Sequence, residues 1–136
     1  MRDLAAFLAR GRAAHQDLMS DQIQLYRPGQ PVFDRDTGTT IPGPPTVFYT
    51  GPARVRPTQT TGEEQQAGER DITLREYEVA LPWDTPLPDG ARVVPGDEIK
   101  VTGSEDPRMP GLVLYVTGAQ YSGDATAWRI YGEDRS

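Results

Sequence analysis

The sequence contains no cysteine. Disulfides and thiolate metal sites are therefore excluded, and the fold must be held by burial and hydrogen bonding alone. There is a single histidine, His15, so neither a His-rich zinc site nor a Cys–His nucleophile pair can form within one chain. Long apolar runs are missing. The longest, such as Leu112–Val116, fall far short of the roughly 18 residues that a membrane helix needs. Leu4–Ala9 is too short for a secretory leader, is followed by Arg10 and Arg12, and has no cleavage-site pattern, so synthesis in the cytoplasm is expected. A basic excess is also missing: 14 Lys and Arg face 20 Asp and Glu, a net charge of −6. A general nucleic-acid binder carries a basic face that releases counterions from phosphate. An acidic wall repels phosphate instead, and DNA can slide past it without sticking. The chain has no GxxxxGK[ST], GxGxxG or GxSxG, so the phosphate loops and the nucleophile elbow are unavailable.

What is present reads as one domain, residues 1–136, large enough to bury about two thirds of its unfolded surface. Residues Met1–Ser20 form a predicted helix, with Leu4, Phe7, Leu8, Gly11, Ala14 and Leu18 on one apolar stripe. From Gln22 the period changes to two. Ile23 and Leu25 alternate with Gln22, Gln24 and Tyr26 until Arg27-Pro28-Gly29 stops the strand. Phe33–Pro45 is turn-rich and reads as a connection. Thr46–Arg56 is a second strand, with a bulge or bend at Gly51-Pro52 and the proline on an edge. Ile72–Leu81 follows, with a second bulge between Leu74 and Tyr77. Ile99 and Val101 start a short strand after the Pro95-Gly96-Asp97 turn. Leu112–Tyr121 and Ala125–Tyr131 close the series around a hairpin tip at Gly123-Asp124. The 14 glycines and 13 prolines punctuate these runs every 8–12 residues. The expectation is a mostly β chain: a small barrel or sandwich of about six to seven strands over residues 21–136, preceded by one helix over residues 1–20.

One segment differs from the rest. Thr58, Gln59, Thr60, Thr61, Gly62, Glu63, Glu64, Gln65, Gln66, Ala67, Gly68, Glu69 and Arg70 include no large apolar residue. Such a stretch has no face to bury, so it is expected to project from the barrel, and a loop this long is uncommon without a function.

Candidate chemistry is sparse. His15 on a helix reads as a surface or interface residue. Glu63, Glu64, Glu69 and Asp71 lie where no rigid cleft would hold paired acids at a working separation, so they read as a solvated loop. Glu76 and Glu78 are the polar face of a strand. Asp34, Asp36 and Thr37-Gly38 resemble the start of a calcium loop but lack its later bidentate acid, and they read as a turn. Trp83, Trp128, Tyr49, Tyr77, Tyr115, Tyr121 and Tyr131 could stack on nucleobases, but in a small barrel they read as core and interface anchors. No nucleophile, base and oxyanion donor come together. The expectation is a protein that is not an enzyme and holds no cofactor or metal.

The order of parts carries a resemblance. A strand ending Ala53-Arg54-Val55-Arg56-Pro57 precedes the Gln/Glu/Gly loop. Arg75-Glu76-Tyr77-Glu78-Val79-Ala80-Leu81-Pro82 follows it. Then come Pro95-Gly96-Asp97-Glu98-Ile99-Lys100-Val101 and Leu112-Val113-Leu114-Tyr115-Val116. The set resembles the head-closure, or stopper, family of siphophage necks, also called head–tail joining proteins. It is nearest to the actinobacteriophage branch, which begins with a helix like Arg10-Gly11-Arg12-Ala13-Ala14 and a strand like Gln22–Arg27. The resemblance spans most of Arg10–Gly132 and implies a β-barrel subunit of a homo-hexameric ring at the head–tail junction of a virion. The portal and adaptor would lie above the ring, the tail terminator or tail tube below it, and packaged double-stranded DNA in the channel. No membrane is involved. It also implies that Thr58–Arg70 enters the channel and helps retain DNA. Thirteen residues folded back on themselves reach about 20 Å, twice the roughly 10 Å radius of a duplex-wide channel. Glu63, Glu64 and Glu69 would fill the channel without gripping phosphate, and Gly62 and Gly68 would let the loop swing. Rival readings are a tail terminator or adaptor, a freestanding β-barrel that binds nucleic acid, and a small hydrolase using the loop carboxylates.

Overall fold

A computed structural model describes residues 2–58, 75–88, 91–122 and 125–134. One helix, α1 (Arg2–Asp17), precedes six strands: β1 (Asp21–Asp34), β2 (Thr39–Pro57), β3 (Arg75–Leu81), β4 (Glu98–Gly103), β5 (Val113–Ala119) and β6 (Trp128–Asp134). Neighbouring strands run antiparallel in the order β1-β2-β3-β6-β5-β4, and β4 pairs back onto β1 to close a barrel. The expected mostly β fold with one leading helix is what forms, and closure leaves the barrel region without an open sheet edge.

Period-two patterning sets which side chains point inward. Ile23 and Leu25 of β1, Ile99 and Val101 of β4, Leu114 and Val116 of β5, and Trp128 and Ile130 of β6 are buried. With Val55, Val79, Leu81 and Val93 they make one core cluster. Burying a side chain of this size is worth about 1.5–3 kcal/mol, so this cluster is the main source of stability. β3 shows the alternation most directly: Val79 and Leu81 point inward, while Ala80 points outward and packs with Met19 and Ala127.

Ala80 and Ala127 thus form a small apolar seat on the outside of the wall, onto which Met19 brings the chain leaving α1. The helix is one turn shorter than expected and closes with backbone bonds from Leu18 to His15 and from Met19 to Gln16. Its side chains tie it across the barrel. Arg12 Nε donates to the Ala125 carbonyl at 3.1 Å, and the Arg12 guanidinium stacks 3.6 Å over the Trp83 ring. Gly11 faces Thr126, whose Cγ2 lies 2.9 Å from where a Cβ would sit.

The main departure from the sequence expectation is β1. It does not stop at Arg27-Pro28-Gly29 but runs on to Asp34, and β2 begins at Thr39 inside the stretch expected to be a connection. Only residues 35–38 form the turn. There Gly38 adopts a φ of 69° and its amide donates to the Asp34 carbonyl at 2.9 Å. β4 pairs with β1 no further than Tyr26, and β3 pairs with β2 only from Arg54 onward. Beyond those points, among the described residues, the two strands pair only with each other. About eight residues per strand therefore extend as a two-stranded arm roughly 25 Å past the barrel wall.

The bulge expected at Gly51-Pro52 is absent: Gln22↔Pro52 and Ile23↔Gly51 keep register. The shifts fall lower in the arm, between Leu25 and Tyr26, Arg27 and Gly29, and Gly29 and Val32. The β3 ladders run in register from Arg75 to Leu81. The bulge expected between Leu74 and Tyr77 involves Leu74 and lies outside the described residues, as does the Gly123-Asp124 tip.

Candidate functional site

Of the loop singled out from the sequence, Thr58 is described; Gln59 to Arg70 lie outside the described residues. The two strands that hold it are well defined. Arg54, Val55, Arg56 and Pro57 pair with Ala80, Val79, Glu78 and Tyr77. Thr58 continues the ladder: its amide donates to the Glu76 carbonyl at 2.9 Å, and its hydroxyl donates to the same oxygen at 3.2 Å. Thr58 and Arg75, on neighbouring hydrogen-bonded strands, are thus the described residues that flank the connection. On the outer wall beside them, Glu78 takes Arg56 Nη2 at 3.3 Å and Arg129 Nε at 3.0 Å.

His15 lies above this cationic strip. Its Nδ1 is buried without a hydrogen-bond partner. Desolvation, then the charges of Arg129, Arg54 and Arg56, hold its pKa below the ordinary value, with Glu78 opposing. It is a helix–wall contact residue, as the sequence suggested, and its surroundings disfavour the imidazolium.

Asp34 and Asp36 are turn residues, as expected: Asp34 Oδ1 accepts the Asp36 amide at 2.9 Å. Among the described residues no group of three or more His, Asp or Glu side chains could hold a metal ion. The aromatics divide. Trp128 is buried in the core, Tyr49 and Tyr77 pack against it, and Trp83 and Tyr121 stay exposed. Trp83, Thr85, Leu87, Tyr121, Ser122 and Trp128 line an open hollow of about 320 Å³. It contains no acid or base, and its Thr85 hydroxyl already donates to the Pro82 carbonyl at 2.7 Å. It offers stacking and shape, without general acid–base chemistry.

Two features were missed in the sequence. The first is the root of the arm. Asp97, 1% exposed, accepts Arg27 Nε at 2.7 Å and Nη2 at 3.2 Å, and also the Val94 amide at 2.9 Å. Arg27 reaches on to the Arg92 carbonyl at 3.0 Å. Next to it, Tyr26 donates to Glu98 at 2.8 Å, and burial together with that bond pushes the phenol up to about 12. Arg27 before a proline and Asp97 after a Pro-Gly pair were the available signals, but their pairing needs the β1–β4 register.

The second is uncovered apolar surface. Leu4 and Phe7 of α1, Leu18 just after it, and Val32, Phe33, Ile41 and Val47 of β1 and β2 are all between 44% and 63% exposed. The helix stripe read from the sequence thus covers the barrel only in part. Val32 and Ile41, which pair across the turn at residues 35–38, were the signal for the arm.

No curated protein and no solved structure matches the chain. Residues 11–133, which take in the last seven residues of α1, the arm and, but for Asp134, all six strands, match a family of unknown function, DUF6093, and the chain belongs to that family.

Proposed function

We propose that this protein is a structural subunit of a phage neck: a stopper that forms a ring between portal–adaptor and tail and holds packaged DNA with the β2–β3 connection. The observation that carries the reading is the base of that connection. Two in-register strands and the paired Thr58–Glu76 bonds hold the two described ends between which the hydrophilic segment runs. A segment with no large apolar residue gains nothing by folding back onto its own subunit, so it is available to work by position. The ordered likeness to head-closure proteins supports the same reading, as does the lack of an acid–base constellation among the described residues.

The test is a virion carrying a deletion of Gly62–Gly68. Capsids should assemble and fill, then leak DNA or fail to accept tails. Normal DNA retention and normal infectivity would overturn the role given to the loop.

A further inference from the structure

We infer that the hollow lined by Trp83, Tyr121 and Trp128 is a docking site for an extended, proline-rich segment of a partner protein, with an acidic residue beside the prolines. The inference goes beyond the stopper reading and does not depend on it.

The hollow holds about 320 Å³, at the low end of the roughly 300–1,000 Å³ of ligand pockets. Its surfaces are largely aromatic. Tyr121 and Trp128 lie 5.7 Å apart, tilted by 37°. Trp128 belongs to the core cluster, so its ring is held in place. Trp83 and Tyr121 are 44% and 53% exposed. Two rings therefore meet solvent beside a third that the barrel fixes, which is a preformed surface for stacking.

Hydrogen-bonding capacity selects the occupant. Trp128 is 7% exposed. Its Nε1, which can only donate, is buried with no hydrogen-bond partner among the described residues. A buried donor in that state is costly until an acceptor reaches it. The Tyr121 oxygen accepts the Val93 amide at 3.1 Å, which leaves the phenolic proton for a ligand. The Thr85 proton is already donated to the Pro82 carbonyl, and no acid lines the hollow. The open capacity is mainly on the donor side, so the ligand should bring acceptors and few donors. A sugar brings a hydroxyl donor with almost every acceptor. A nucleotide brings phosphate to a chain of net charge −6, which repels it. Proline brings a carbonyl acceptor, a ring to stack and no N–H. A run of prolines is also already extended in the polyproline II form, so docking orders little that was free before.

Charge sets the flanks. Arg12 stands 3.6 Å over the Trp83 ring and donates to the carbonyl of Ala125, a lining residue. Arg92 stands 5.8 Å from the Tyr121 ring. Asp84, next to Trp83 in the chain, is exposed and does not line the hollow. The guanidiniums placed at these rings make the rim locally cationic, which favours an acidic residue at either end of the prolines.

The two tryptophans of the chain make a direct test possible. Isotope-labelled full-length protein shows two indole N–H signals by NMR, and Trp83→Phe assigns them. The probe is an end-blocked peptide of six prolines with a glutamate at each end. Both indole signals should shift saturably, with a Kd below about 1 mM. The Trp128 signal should move downfield as its N–H gains an acceptor. Tyr121→Ala should weaken binding about tenfold or more, as loss of an aromatic anchor does. Arg92→Gln should weaken it about threefold, the effect of a rim charge. The Ile99 and Ile130 amide signals in the core should stay in place in both variants.

Three results would overturn the site: a Trp128 indole signal that does not move at about 2 mM peptide, twice that Kd limit; equal binding of the same peptide with alanine for proline; or a larger response to methyl glucoside or adenosine monophosphate than to the peptide. None of them bears on the stopper reading, which the loop deletion decides in virions.

Discussion

At the scale of single residues, the arm depends on Asp97. Its carboxylate is buried, yet it accepts two bonds from Arg27 and one from the Val94 amide. Asp97→Ala leaves that amide and a half-exposed guanidinium without their acceptor. Breaking a fully buried pair costs about 3–5 kcal/mol, and because Arg27 keeps access to water the expected loss is about 2–3 kcal/mol, read as a lower urea midpoint. His15 gives a pH dependence of definite sign. Its folded pKa lies below the ordinary value of about 6.5, because burial and the arginines of β2 and β6 disfavour the charged form. The unfolded chain therefore takes up a proton first. Stability from this group is complete above pH 6.5 and falls as the pH drops through 6.5 toward the lowered folded value. The melting temperature should decline over that interval in the wild type, and His15→Gln should flatten the decline. That His15 is a surface or interface residue was legible from its being a lone histidine on a helix. Its cationic surroundings were not, since Arg54, Arg56 and Arg129 come together only when β2, β3 and β6 pair.

At the scale of elements, the barrel strands were legible because period-two burial is a local signal. β4, β5 and β6 lie within a few residues of their expected bounds. The arm was not, because prolines punctuate it. Pro28, Pro31, Pro42, Pro44 and Pro45 would end a strand that needed both rows of amides. Among the described residues neither strand of the arm has a second neighbour, so a missing N–H on the open side costs nothing, and the same prolines blunt an edge that would otherwise recruit foreign strands. Gly29 and Gly43 face each other across this ribbon. A Cβ on Gly43 would overlap the Gln30 carbonyl oxygen and lie 3.1 Å from the Gln30 amide nitrogen, so backbone would have to move. Gly43→Ala should therefore splay the arm at a cost of about 1–3 kcal/mol. Amide exchange at Val32 and Ile41 should speed up, while exchange at Ile99 and Ile130 in the barrel stays slow. Uniform acceleration would show that the arm and barrel unfold as one unit.

At the scale of the whole molecule, the proposed stopper role carries a claim about duplex DNA: it would be confined and not bound. Affinity for duplex DNA comes mainly from neutralised phosphates and is strongest at low salt. The described cations are largely engaged elsewhere: Arg27 with Asp97, Arg56 and Arg129 with Glu78, Arg108 with Asp106, and Arg12 with Trp83 and Ala125. With a net charge of −6, the surface has no excess of free positive charge to release counterions. Those conditions would suit the proposed stopper, because a plug that gripped phosphate would slow ejection. The purified protein should therefore give no shift of duplex DNA even at about 50 mM salt, where a protein making 6–10 phosphate contacts would bind about 10³–10⁵ more tightly than at 200 mM. A salt-sensitive shift, competed by any duplex sequence, would mean that the subunit holds DNA by attraction, and the barrel would then read as a nucleic-acid-binding module and not as a mechanical gate.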